Sequence, residues 1–247
     1  MVHVTEGTLH SERYIGKLQK ISRRRIIKGA DACIGCSTKS VEKLKWWGVD
    51  ENRVFLSLLT RNLTDYTEKE TESIPGRILY VGRLISLKGL DLLINALKYV
   101  QSDYTLHLVG SGEEETALKV LAEENHVGDR ITWCGYLEGQ ALTKEYREAA
   151  LFVFPSLEDC YGLVLVEALA SGVPIVSSKY ADGAYDTVRN GINGRIIDPY
   201  DAESFAAAID ECLKDEYKER AEQTDVSPFL LEHTVQGFVD AFETAMK

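Results

Sequence analysis

The chain has 247 residues, 45% of them apolar and 27% charged, and a formal net charge of −11. That composition supports a sizeable core, as one large domain or two small ones. It excludes a membrane-spanning protein, because no apolar run approaches the roughly 18 to 20 residues of a span, and the N-terminus lacks a charged-then-apolar signal pattern. A cytoplasmic chain follows, in which five cysteines, an odd number, read as reduced thiols rather than a disulfide framework.

Residues 1–60 hold 11 Lys and Arg against 6 Asp and Glu, a net +5, which leaves −16 for the remainder. The asymmetry suggests two units. Arg13, Lys17, Lys20, Arg23, Arg24, Arg25 and Lys28 fall in one predicted helix, with Tyr14, Leu18 and Ile21 at helical spacing on another face. The pattern reads either as a solvated face or as a peripheral contact, Arg13 to Lys28, with anionic head groups at the inner membrane face or with a phosphorylated acceptor. Nucleic acid is excluded by the acidic remainder and by the lack of an aromatic and basic face. Cys33 and Cys36 have CxxC spacing, but "ACIGCS" reads as a short buried strand and no second Cys or His pair completes a metal site.

From about residue 76 one unit repeats. Short apolar runs at 77–83, 105–110, 131–135, 151–156, 174–178 and 194–198 are predicted strands. Helical patterns lie between them, marked by Leu90, Leu93, Leu97 and Val100, by Leu118 and Leu121, by Val164, Ala168 and Leu169, and by Phe205, Ile209 and Leu213. Strands alternating with helices imply an α/β fold with a doubly wound parallel sheet, buried on both faces. In such a sheet a ligand sits beyond the carboxyl ends of the strands, where helix N-termini offer unpaired amides to anions.

The informative residues do follow strands. Gly82, Arg83 and Lys88 come after the first, and the turn Gly110, Ser111 and Gly112 after the second. Glu158, Asp159, Tyr161 and Gly162 come after the fourth, just before a helix that carries Leu163, Val164 and Glu167. Two cations and several helix starts on one rim would cradle a diphosphate. Asp159 and Glu167 have seven residues between them; Glu167 suits the paired hydroxyls of a ribose and the loop carboxylate those of a sugar, with Glu158 competing for that role. The alternative reading is a capping Asp and a solvated Glu.

These residues resemble the nucleotide-sugar-binding half of glycosyltransferase family 4, a retaining group with the GT-B fold. The carriers are G-R-x(4)-K-G at Gly82, Arg83, Lys88 and Gly89, the G-x-G turn at Gly110 and Gly112, the segment "WCGY", and an E-x7-E signature within "PSLEDCYGLVLVEALASGVPIV". The resemblance implies that Arg83 and Lys88 bind donor phosphates, that Glu167 binds ribose, that the backbone from Tyr161 to Val164 meets the diphosphate, and that the backbone at Trp133 to Gly135 contacts the base, the other reading of a strand Trp being packing. Asp159 and Cys160 stand where the family usually has Glu and Gly, so the sugar contact shifts or passes to Glu158. The expected organisation is an incomplete acceptor-side segment at 1–60, a linker at 61–75, the nucleotide-sugar-binding domain at 76–225, and a C-terminal helix at 226–247 crossing back.

The implied chemistry is transfer of a sugar from a nucleotide diphosphate sugar to a carbohydrate or lipid-linked acceptor hydroxyl with retention, in cell-surface polysaccharide or glycolipid synthesis. No cofactor or metal is expected, since cations and amides supply the charge and no Asp-x-Asp motif occurs. The rival reading is a donor-binding or regulatory module that needs a complementing acceptor subunit. An NAD-dependent oxidoreductase is disfavoured because "LVGSGEEE" lacks the third glycine of that fingerprint; a phosphorylase or epimerase of the same fold stays open.

Overall fold

The computed structural model describes residues 1–67 and 72–247, so residues 68–71, inside the expected linker 61–75, lie outside the described residues. Two parallel sheets organise the chain. The first has three strands, β1 (Val2–Thr5), β2 (Ala32–Gly35) and β3 (Val54–Leu56), in the order β1-β2-β3. The second has six, β4 (Arg77–Val81), β5 (Thr105–Val109), β6 (Ile131–Gly135), β7 (Leu151–Phe154), β8 (Ile175–Ser178) and β9 (Gly194–Ile197), in the order β6-β5-β4-β7-β8-β9. The six predicted strands are all present.

The second sheet owes its depth to strands that are apolar throughout: β7 and β8 are buried along their full length, as parallel strands covered by helices on both faces must be. Helices Leu90–Leu97, Leu163–Ala170 and Ala202–Cys212 bury Leu93, Ile94, Leu165, Val166, Phe205 and Ile209 against it. The order reverses between β4 and β7, so the loops that leave them part company and open a crevice at their carboxyl ends.

The first sheet has a smaller core. Strand β2 is fully buried, which places Cys33 and Cys36 in the interior as free thiols. Burial pushes the Cys36 thiol up to about 11, which makes it a poor nucleophile at neutral pH. The C-terminal helix Leu231–Ala245 packs on β2 and β3. Gly237 lets it approach: a Cβ there would meet the Leu56 carbonyl oxygen at 2.2 Å, and Ser57 Oγ donates to the Thr234 carbonyl at 2.7 Å.

One local expectation is corrected. The basic segment is broken rather than one helix: Ser11–Tyr14 is a 3-10 turn, Gly16 is extended with φ −62° and ψ 152°, and the helix runs Lys17–Lys28. Arg13 thereby leaves the cationic face and pairs with Glu158 at 3.3 Å. The expected linker also holds a helical turn, Thr64–Thr67, because Leu63 and Tyr66 are apolar enough to join the core of the six-stranded unit.

Candidate functional site

A cavity of about 640 Å³ opens at the carboxyl ends of β4, β5 and β6. Gly82 and Arg83, Gly110 and Ser111, and Tyr136 to Gly139 form its strand-end wall; Val164 and Glu167 close it from the helix Leu163–Ala170, and Arg61 and Tyr66 from the crossover. Of the residues singled out from the sequence, Gly82, Arg83, Gly110, Val164 and Glu167 line this space.

The glycines are there because backbone meets backbone. A Cβ on Gly110, whose φ is 137°, would lie 1.8 Å from the Gly82 carbonyl oxygen, and one on Gly112 would lie 2.1 Å from that of Leu84. No side chain fits either gap, and the two loops are tied further by Leu84 N–H to the Ser111 carbonyl at 2.9 Å. Gly112 thus supports the rim from behind. Arg83 is exposed on that rim; its carbonyl accepts the hydroxyl of buried Tyr80 at 3.0 Å, which fixes the loop while leaving the guanidinium available.

Next to the cavity, Lys88 Nζ donates to Asp159 Oδ2 at 2.6 Å, and Asp159 Oδ1 accepts the Tyr161 amide at 3.0 Å. The pair is partly buried, with side chains 14% and 19% exposed. The two groups expected to serve different parts of a ligand therefore hold each other, and Asp159 also caps the turn into the helix. That helix begins at Gly162, whose φ of 80° suits glycine, and no side chain caps it. The amides of Leu163 and Val164 have no intrahelical acceptor and add the positive end of the helix dipole. The Tyr161 side chain is buried, so only its backbone belongs to the rim. Glu158 points instead to Arg13 of the first unit.

Glu167 is the most enclosed of the group, with a side chain 4% exposed. Its Oε1 accepts from Arg61 Nη1 at 2.5 Å and its Oε2 from the Tyr146 hydroxyl at 2.7 Å. Tyr66 faces the same carboxylate; burial first, then the Glu167 charge, push its hydroxyl up to about 12. A surface Glu was the alternative reading of the sequence, and the burial removes it.

A family profile described as glycosyl transferases group 1 matches residues 66–225, well over half of the chain. The chain belongs to the group 1 glycosyl transferases. It is 33% identical over 140 residues to an uncharacterized glycosyltransferase of Methanocaldococcus jannaschii, covering 56% of this chain and 36% of that protein. It is 29% identical over 218 residues to the lipopolysaccharide core biosynthesis glycosyltransferase LpsE of Rhizobium meliloti, covering 84% of this chain and 63% of that one. The chain thus spans less than two thirds of the length of these curated relatives. Among solved structures, Anabaena HepE in complex with UDP superposes with a TM-score of 0.85 at 19% identity, covering 98% of this chain and 72% of that one. At that identity the likeness is one of fold: a GT-B arrangement of Rossmann-like parallel sheets.

The Trp133 ring lies in edge strand β6, half-buried against the core, with Lys119 Nζ 5.2 Å above it, so its side chain packs; the loop that follows, Tyr136 to Gly139, lines the cavity. Sequence reasoning missed Arg61 and Tyr146. Both lie far from Glu167 along the chain, by 106 and 21 residues, and no motif announces them.

Elsewhere, His107, Cys134 and Glu145 bring ligand atoms within 4.8 Å of one another. His107 Nδ1–H donates to Glu145 Oε2 at 2.8 Å, and Arg77 Nη1 stands 4.0 Å from that same oxygen. With that oxygen shared between an imidazole and a guanidinium, the cluster reads as a polar network bracing β5 and β6. Among the described residues, no helix is long and apolar enough to cross a membrane.

Proposed function

We propose that this chain binds the nucleotide diphosphate of an activated sugar and transfers the sugar to an acceptor hydroxyl with retention, as a family 4 type enzyme. One observation carries the reading: Arg83, the Gly82 and Gly110 backbone, an uncapped helix start and a buried carboxylate converge on one cavity at the sheet's switch point. Glu167 takes the ribose hydroxyls, and Arg83, Lys88 and the amides of Leu163 and Val164 take the diphosphate. In the reaction the sugar–phosphate bond breaks towards an oxocarbenium-like sugar, and the charge that develops on the leaving diphosphate meets donors already in place. Those donors supply the charge stabilisation without a metal ion. Asp159 and Glu158 are the two candidates for the sugar's hydroxyls, and each already has a cation, Lys88 for Asp159 and Arg13 for Glu158.

The printed names of relatives support the substrate class: HepE is described in complex with UDP and glucose, and LpsE with lipopolysaccharide core biosynthesis. We extend this to a carbohydrate or lipid-linked acceptor in cell-surface glycan synthesis at the cytoplasmic side of a membrane. The helix Lys17–Lys28 contains six cations and no acid, and it exposes Leu18, Ile21 and Ile26, chemistry suited to anionic lipid. It should sediment with anionic but not zwitterionic vesicles.

The test of transfer is incubation of the chain with UDP-, GDP- and ADP-sugars and candidate acceptors, followed by NMR of the anomeric proton. Retained product, or slow donor hydrolysis, is expected. Binding without either outcome favours the second reading, a donor-binding module completed by an acceptor subunit.

A further inference from the structure

Glu167 needs both oxygens to take a ribose diol, yet each oxygen already has a protein donor. We propose that Arg61, on the crossover between the two sheets, is the positioning residue for that carboxylate: with Tyr146 it fills one lone pair on each oxygen and leaves the other two aimed into the cavity. The inference rests on the reading of Glu167 as the ribose ligand.

The geometry supports positioning rather than simple blockage. Arg61 Nη1 reaches Oε1 and the Tyr146 hydroxyl reaches Oε2, so the two donors occupy different oxygens. A carboxylate accepts up to about four hydrogen bonds, two per oxygen, and a cis-diol offers two donors at matching spacing. Tyr146 is fully buried and lies behind the carboxylate. Arg61, Tyr66 and Glu167 all border the cavity.

Arg61 is itself held. Its guanidinium stands 5.5 Å above the Tyr66 ring, and Tyr66 meets Tyr146 edge to face at 5.5 Å between centroids. Arg61, 49% exposed at the cavity mouth, reaches the carboxylate from the open side, opposite the enclosed Tyr146.

Arg61 also belongs to neither sheet. It follows Thr60, whose hydroxyl donates to the Phe229 carbonyl at the start of the C-terminal helix segment. The ribose site is therefore built partly by the segment that leaves the three-stranded unit, and a shift of the crossover would reach the nucleotide through one side chain.

The experiment is calorimetric titration with whichever of UDP, GDP and ADP binds tightest, alongside its 2′,3′-dideoxy counterpart. The wild type should prefer the ribonucleotide by roughly 10- to 100-fold, the worth of hydrogen bonds to a charged group. Arg61→Met should shrink that preference to about threefold or less while the dideoxy affinity moves less than about twofold, and Arg61→Lys should restore much of the preference because a charge on a long stem can still reach Oε1. If Arg61→Met fails to fold, Arg61→Gln gives the same readout. An undiminished preference in Arg61→Met, or an equal loss for both ligands, overturns the proposal. Glu167→Gln serves as the control: a preference that survives there overturns the ribose reading itself, whereas one that collapses there and survives in Arg61→Met overturns the role of Arg61 alone.

Discussion

The six-stranded sheet presents the cavity on successive strand ends, whereas the three-stranded sheet reaches the cleft through residues 8–13 and the helix start at Thr38. The first arrangement is backed by a continuous apolar core and by glycines pressed against neighbouring carbonyls. The second is a set of polar contacts between units: the Thr8 hydroxyl donates to Asp182, the Thr38 hydroxyl and amide donate to Asp186, and Arg13 pairs with Glu158. A rim carried on strand ends is rigid by construction. A rim made of cross-unit hydrogen bonds is adjustable, and its strength depends on ionisation.

The contrast can be broken most forcefully on the rigid side. Gly110→Ala places a methyl 1.8 Å from the Gly82 carbonyl, with backbone on both sides and nowhere to relax. It should cost about 3 kcal/mol in urea unfolding, the upper end for overpacking and local strain. A loss below about 1 kcal/mol would show that this rim yields. Gly237→Ala, 2.2 Å from the Leu56 carbonyl, tests the other unit. There a helix can slide, so about 2 kcal/mol is expected, with earlier proteolysis of the C-terminal helix than of the six-stranded core.

Smaller effects sharpen the cross-unit half. Burial holds the Asp182 and Asp186 carboxyls above their ordinary range. Between the ordinary and raised values the folded protein binds more protons than the unfolded chain, so this contribution to stability declines as pH rises through that window. The cost of the ionised form is then present in full at neutral pH. Asp182→Asn and Asp186→Asn, which keep an acceptor for Thr8 and Thr38, should raise the melting temperature at neutral pH and lose that advantage on acidification; an equal shift at both would contradict the assignment. Smallest of all is Arg13→Ala, because the Arg13–Glu158 side chains are 39% and 26% exposed. A change of less than about 0.5 kcal/mol is expected, readable only by comparison of denaturation midpoints.

The same contrast explains what could be read from the sequence. The six strands, the switch-point crevice and the rim glycines were legible because each is local: an apolar run, then a glycine or cation at its carboxyl end. Glu167 was legible from its spacing to Asp159, but its burial was not, since that depends on Arg61 and Tyr146 folding over it from elsewhere. The pairing of Lys88 with Asp159 was hidden for the same reason, since they are 71 positions apart in the chain. Which way the Trp133 side chain faces was not legible from its strand, because it depends on the helix that crosses it and lays Lys119 over the ring. The break at Gly16 was hidden by a run of good helix formers after it; the segment before it turns to meet distant partners, with Thr8 on Asp182, Glu12 on Lys43 and Arg13 on Glu158.

The proposal under all of this is that a diphosphate is gripped by Arg83 together with the amides of Leu163 and Val164. Calorimetric titration of the tightest-binding nucleoside diphosphate, and of the parent nucleoside, into the wild type and Arg83→Ala tests it directly. The account expects the diphosphate affinity to fall roughly 10- to 100-fold while the nucleoside affinity is unchanged. Equal diphosphate affinity in the two proteins would contradict it.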